Sequence, residues 1–186
     1  MLPKKYKNKY RRTSMRLKYW NYGNSAPYFI TICTKNRRHF FGKIIKGKMH
    51  LSTIGESANR EWLKTFELRA DMNLEMGEYI IMPDHFHAII TIGHNPYNVG
   101  TKSGTAMHRG PNCFGPQSKN LASILRGFKS AVTTTARKNG DKSFSWQSLY
   151  HDKIIRDERA FRTISRYIIN NPMKWEKDRL KKKNKK

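Results

Sequence analysis

The chain's apolar positions switch between two periods. Residues 28–34, YFITICT, are β-branched or aromatic almost throughout, which predicts a first core strand just after Pro27. A basic turn over 35–39 follows, and Phe40 to Leu51, with Gly42 and Gly47, reads as a short hairpin. Ile54, Ala58, Trp62, Leu63 and Phe66 then recur at helical spacing. They predict a helix capped by Ser52 or Thr53 and running to about Ala70 with one buried face. Leu74–Ile81 and His85–Ile92 return to strand character on either side of the turn MPD and read as the sheet centre. From Gly93 to Lys119 no period survives among five glycines and Pro96, Pro111 and Pro116, so a long flexible loop is expected.

Helical spacing resumes over Asn120–Lys138 through Leu121, Ile124, Leu125, Phe128, Ala131 and Val132, with Arg126, Lys129, Arg137 and Lys138 on the outer side. Gly140 and Asp141 break it, and Leu149–Arg156 is strand-like. Asp157 stands where an N-cap belongs, ahead of Ala160, Phe161, Ile164 and Ile168. The last helix is therefore expected over Glu158–Asn171, stopped by Pro172.

With 186 residues, 37% of them hydrophobic, the chain suits one domain with an ordinary core. The expected division is a basic arm over 1–22, a domain over 23–172 with its loop at 93–119, and a basic tail over 173–186. Charge changes the picture more than size does. The formal net charge is +25, from 38 Lys and Arg against 13 Asp and Glu, and no acid precedes Glu56. Such a field selects polyanions, and nine Tyr, nine Phe and four Trp among the charges favour nucleic acid, whose bases stack on rings. Candidate phosphate contacts are Lys4, Lys5, Lys7, Arg11 and Arg12 in the arm, Arg37 and Arg38 in the basic turn, and Arg126 and Lys129 on the second helix. No run approaches the roughly 20 apolar residues of a membrane span. The first residues lack the apolar core of a signal peptide, so a cytoplasmic, nucleoid-associated protein is expected. Cys33 and Cys113 have no C-x-x-C spacing and read as free thiols.

Candidate chemistry centres on MPDHFH, residues 82–87. Side chains alternate along a strand, so His85 and His87 share one face while Phe86 points into apolar material. Two imidazoles on a rigid strand supply part of a metal site; equally, they are two half-exposed strand histidines without a ligand role. His39 and His50 lack ligand-spaced neighbours and read as surface histidines. On the last helix, Tyr167 and Asn171 lie four residues apart, hence on one face. The amide oxygen could join the histidines with the phenol beside them. Alternatively, Tyr167 packs in the core and Asn171 only caps the helix before Pro172.

Four blocks in order, YFITICTKNRRHFFG, MPDHFH, SWQSLYHDKIIRDER and YIINNPMKW, resemble the bacterial REP-associated tyrosine transposases. These are relatives of the single-tyrosine insertion-sequence transposases within the HUH endonucleases. The resemblance spans most of Tyr28 to Trp175. It implies an α+β fold: a ferredoxin-like or RRM-like antiparallel sheet with helices on its faces. It implies His85, His87 and Asn171 as ligands of Mg²⁺ or Mn²⁺ and Tyr167 as the catalytic residue. Lys153 departs from the pattern, since many relatives carry histidine there.

The implied reaction is transesterification on single-stranded DNA near a hairpin or imperfect palindrome, through a 5′-phosphotyrosine and a free 3′-hydroxyl that can rejoin the strand. Some relatives act as dimers with shared sites, so a homodimer stays open. Two imidazoles and an amide suit Mn²⁺ better than Mg²⁺, whereas the family uses either. A free phenol titrates near ~10, and no general base is evident in the sequence. Two rivals remain: a non-catalytic RRM-like nucleic-acid-binding module, and a replication- or conjugation-initiating nickase.

Overall fold

Strand β1 (Ala26–Cys33) buries Tyr28, Ile30 and Ile32 completely on one side and turns Phe29, Thr31 and Cys33 to the other. A computed structural model provides this view and describes residues 17, 20–98 and 118–175. A two-stranded hairpin follows, β2 (Gly42–Ile45) with β3 (Lys48–Leu51). Its turn residues Lys46 and Gly47 have φ of 49° and 71°, the mirror-image turn that suits the twist of paired strands. Gly42, at φ 133°, could not be replaced simply, because a Cβ there would lie 2.0 Å from the His50 carbonyl oxygen.

Helix α1 (Thr53–Glu67) is capped by Ser52, whose hydroxyl accepts from the Gly55 N–H. It buries Ile54, Ala58 and Trp62, but Leu63, expected on the same face, is exposed. At about 100° per residue, nine residues beyond Ile54 lies half a revolution away. The helix also stops short of Ala70, where a 3₁₀ turn (Ala70–Met72) leads into β4 (Leu74–Met82). A tight turn at Pro83 and Asp84 returns the chain along β5 (His85–Ile92). Helix α2 (Leu121–Lys138) starts with a reciprocal cap in which Asn120 and Ser123 satisfy each other's backbone N–H groups. Strand β6 (His151–Ile154) and helix α3 (Glu158–Ile169) complete the order, with the Asp157 carboxylate accepting from Ala160 N–H at 2.7 Å.

The main sheet runs β4-β5-β1-β6 and its pairs are antiparallel. The path β1-α1-β4-β5-α2-β6 is the ferredoxin-like βαββαβ arrangement, the expected α+β fold. One expectation needs correcting: β4 is an edge, and β5 shares the centre with β1. Sequence patterning registers how apolar a strand is, not whether it has one neighbour or two; β1 is buried enough to pair on both sides.

Each face has its own helices. On one, Trp62 of α1 and Phe128 of α2 meet Phe86 of β5 with ring centroids 4.9–5.3 Å apart. Each such ring contributes about 1.5–3 kcal/mol by leaving water. On the other, α3 lays Ile168, Ala160, Phe161 and Ile164 over Ile89, Ile80, Phe29 and Ile155. Trp20 and Tyr22, assigned by sequence to the basic arm, belong to the folded domain. Tyr22 is buried, its carbonyl accepts the Leu121 N–H, and the Trp20 indole donates to the Tyr28 hydroxyl. Lys4, Lys5, Lys7, Arg11, Arg12, Cys113, most of the expected loop and the tail beyond Trp175 lie outside the described residues.

Candidate active site

The first residues of β5 carry the histidines. In register, His87 stands opposite Thr31 of β1 and Ile80 of β4, while His85 stands opposite Cys33 and Met82. Their rings are 4.5 Å apart on the face that α3 covers, and Phe86 points away between α1 and α2. Both imidazoles are buried, at 4% and 5% exposure, so the half-exposed alternative does not hold.

Each Nδ1 is engaged. The Asp84 carboxylate Oδ1 lies 2.6 Å from His85 Nδ1, and its Oδ2 accepts from Arg37 Nε at 2.9 Å. His87 Nδ1 lies 2.8 Å from the Thr31 hydroxyl. Burial, reinforced by His85 alongside, pushes the His87 pKa down to about 3. The ring is therefore neutral near pH 7, the form that offers a lone pair to a metal.

Helix α3 brings Tyr167 to this pair. Its hydroxyl lies 3.3 Å from His87 Nε2, and its ring meets Phe29 edge to face at 6.2 Å. Phe29 in turn stacks on His87. Tyr167 remains 38% exposed, so the phenol is not the buried core residue of the alternative reading. Asn171 is buried at 7%, and its amide makes no hydrogen bond among the described residues. The continuous helix expected to Asn171 is interrupted: α3 ends at Ile169 with Asn170 as its C-cap, and residues 171–175 form a new helical turn. Pro172 sits in the first turn of that segment, where its missing N–H has no intrahelical partner to lose.

The structure adds neighbours whose proximity the sequence did not show. Trp175 packs its ring 5.5 Å from His85 and 5.9 Å from His39. Pairing of β6 with β1 puts His151 opposite Thr31 and Lys153 opposite Phe29, on the histidine face and exposed. Only register, which a single sequence does not reveal, relates His151 to His87 across Thr31. Among the proposed phosphate contacts, Arg37 is tied to Asp84 and to Cys33 Sγ, and Arg38 lies over the Phe40 ring. Arg126 and Lys129 belong to α2, on the opposite face. Lys129 donates to the Gln147 and Ser148 carbonyls, and burial lowers its pKa. No three His, Cys, Asp or Glu side chains gather into a metal-holding cluster among the described residues.

No family model matches the chain. An uncharacterized protein of Haemophilus influenzae is 37% identical over 174 residues, covering 91% of this chain and 92% of that one. The chain belongs to that protein's family. Its fold is that of a REP-associated tyrosine transposase, whose structure bound to a REP hairpin superposes with a TM-score of 0.56 at 20% identity, covering 88% of this chain and 74% of the other. Within the transposase fold, the elements carrying His85, His87 and Tyr167 are β5 and α3.

Proposed function

We propose that this protein is a metal-dependent endonuclease and strand transferase of the tyrosine transposase kind, acting on single-stranded DNA beside a hairpin or imperfect palindrome. One observation carries the reading: an exposed tyrosine whose hydroxyl lies 3.3 Å from Nε2 of His87, one of a buried histidine pair. Tyr167 Oη loses its proton and attacks the scissile phosphorus. The bond to the 3′ oxygen breaks, that oxygen takes up a proton to become a 3′-hydroxyl, and the 5′-phosphate stays on the tyrosine. Reversal by a 3′-hydroxyl reseals DNA without a further energy source. In the resting arrangement the Tyr167 hydroxyl lies within hydrogen-bond reach of His87 Nε2, which orients the phenol beside the histidine pair.

The residues present fit a divalent ion. His85 and His87 are held through Nδ1, which leaves Nε2 as the donor atom, and Asn171 is a buried amide with no protein partner among the described residues. The carboxylate beside the pair, Asp84, is engaged by His85 Nδ1 and Arg37 Nε, which makes an amide a fitting third ligand. These three residues would hold Mg²⁺ or Mn²⁺, which when bound would draw charge from the phosphate oxygens. Exposed Lys153 and His151 lie on the same face and suit the backbone of the bound strand.

The test is to incubate the protein with hairpin-bearing single-stranded DNA and Mg²⁺ or Mn²⁺. A denaturation-resistant adduct mapping to Tyr167 is expected, and none with Tyr167→Phe. An adduct on another tyrosine, or DNA binding without cleavage under any divalent ion, would overturn the reading; the second outcome favours a non-catalytic binding module.

A further inference from the structure

The two histidines are held by partners of different kinds, and the difference bears on which nitrogen each offers. Thr31 faces His87 with a hydroxyl, which both donates and accepts and so tolerates either imidazole tautomer. Asp84 faces His85 with a carboxylate, which when ionised only accepts. Both Asp84 oxygens are committed, Oδ1 to His85 Nδ1 and Oδ2 to Arg37 Nε, and the residue is 3% exposed.

The surroundings fix that carboxylate. The Asp84 carbonyl accepts from the Thr34 N–H at 2.9 Å and from the Thr34 hydroxyl at 3.0 Å, and the neighbouring Pro83 carbonyl accepts from the Phe41 N–H at 3.1 Å. The turn is thus pinned to the end of β1. Asn36 and Arg37 both adopt left-handed backbone, each with φ of 55°, and Arg37 is further tied to Cys33 Sγ at 2.8 Å.

We propose that Asp84, anchored by Arg37, is a positioning residue that keeps the proton of His85 on Nδ1 and so keeps Nε2 bare and aimed at the site. The proposal rests on the reading of His85 as a metal ligand. It gives Arg37 a task that needs no DNA, although the side chain is half exposed.

The geometry makes Asp84→Asn the informative variant. Arg37 only donates, so it captures the asparagine oxygen, and the asparagine NH₂ then faces His85 Nδ1. The imidazole must answer with the other tautomer, placing the proton on Nε2. Adding Arg37→Ala frees the amide to turn its oxygen back to His85, so the double variant should recover part of what Asp84→Asn removes.

The experiment uses the full chain without DNA and reads two quantities. Ring ¹⁵N shifts of metal-free protein, assigned through His85→Gln, report the tautomer. Mn²⁺ titration by electron paramagnetic resonance reports affinity. Wild type should carry the His85 proton on Nδ1; Asp84→Asn should move it to Nε2 and weaken Mn²⁺ binding by about 10- to 100-fold, with partial recovery in the double variant. Thermal unfolding of each variant identifies any loss due to misfolding. A wild-type His85 protonated on Nε2, or an Asp84→Asn protein with unchanged tautomer, would overturn the proposal, as would unchanged Mn²⁺ affinity despite a switched tautomer. A wild type that binds no Mn²⁺ would remove the metal reading instead, while the ring shifts still decide what Asp84 does to His85.

Discussion

The two faces of the central sheet are built from the same strands and have little else in common. Beneath α1 and α2, alternate residues of β1 and β5 are Tyr28, Ile30, Ile32, Phe86, Ala88 and Ile90, all fully buried. Beneath α3, the intervening residues include Thr31, Cys33, His85 and His87, and each histidine is hydrogen-bonded within the protein through Nδ1. One face supplies the area that holds the fold together. The other places buried polar groups where their orientation is controlled, and leaves its β6 margin open to solvent. A single strand can serve both because its side chains alternate.

Substitutions should separate the faces. The largest effect on chemistry is expected from Tyr167→Phe, which removes one oxygen from an exposed residue: covalent adduct formation should vanish while the unfolding midpoint stays close to wild type. An equally large effect on stability, with none on chemistry per folded molecule, is expected on the other face. Phe128→Ala should cost about 3–5 kcal/mol in denaturant unfolding. Loss of adduct chemistry in the still-folded fraction of Phe128→Ala would show that the faces are coupled.

A smaller effect is expected from acid. His87 has a folded-state pKa of about 3 against an ordinary 6.5, so the unfolded chain binds the proton more readily. Its contribution is present above pH 6.5 and is lost as pH falls from there towards about 3. His87→Gln should flatten the pH dependence of the unfolding free energy across that window; an unchanged slope would mean that the ring is not held neutral.

The mildest effects belong to the N-terminal end. Removing residues 1–16 should lower affinity for single-stranded DNA and reduce the salt slope by about 0.7 for each phosphate that is no longer neutralised. Removing residues 1–22 should also lower the melting temperature, because Trp20 and Tyr22 pack on Tyr28 and α2. Equal melting temperatures for the two truncations would contradict that packing.

The cap at Asp157, the cap at Ser52 (one of two residues offered), the opposed directions of Phe86 and the histidines, and the order of elements were legible because each depends on residues close in sequence; the cap at Asn120 was not read. Leu63 was misplaced by the same local reasoning, since neighbouring apolar residues on a helix diverge by about 100°. What could not be read was pairing. The edge position of β4, the placement of His151 beside the row of Thr31 and His87, and the contact of Trp175 with His85 arise between distant segments. Arg37 shows the limit well. Its charge suggested phosphate, yet its position depends on an aspartate many residues away whose proximity no local pattern announces.

The pairing of β1 with β6 also has a consequence for how the protein is made. Tyr28 leaves the ribosome early and must wait for Ile154 before β1 has both neighbours, and Tyr167 emerges later still. Closing so long a loop adds little to the equilibrium cost, which grows only logarithmically with length, but non-local contacts of this kind slow folding. The α1, β4 and β5 segment can assemble before β6 is made, whereas Tyr167, the proposed nucleophile, meets His87 only after β6. A nascent chain that stops short of Tyr167 therefore lacks the proposed nucleophile: the proposed activity begins only once α3 has left the ribosome.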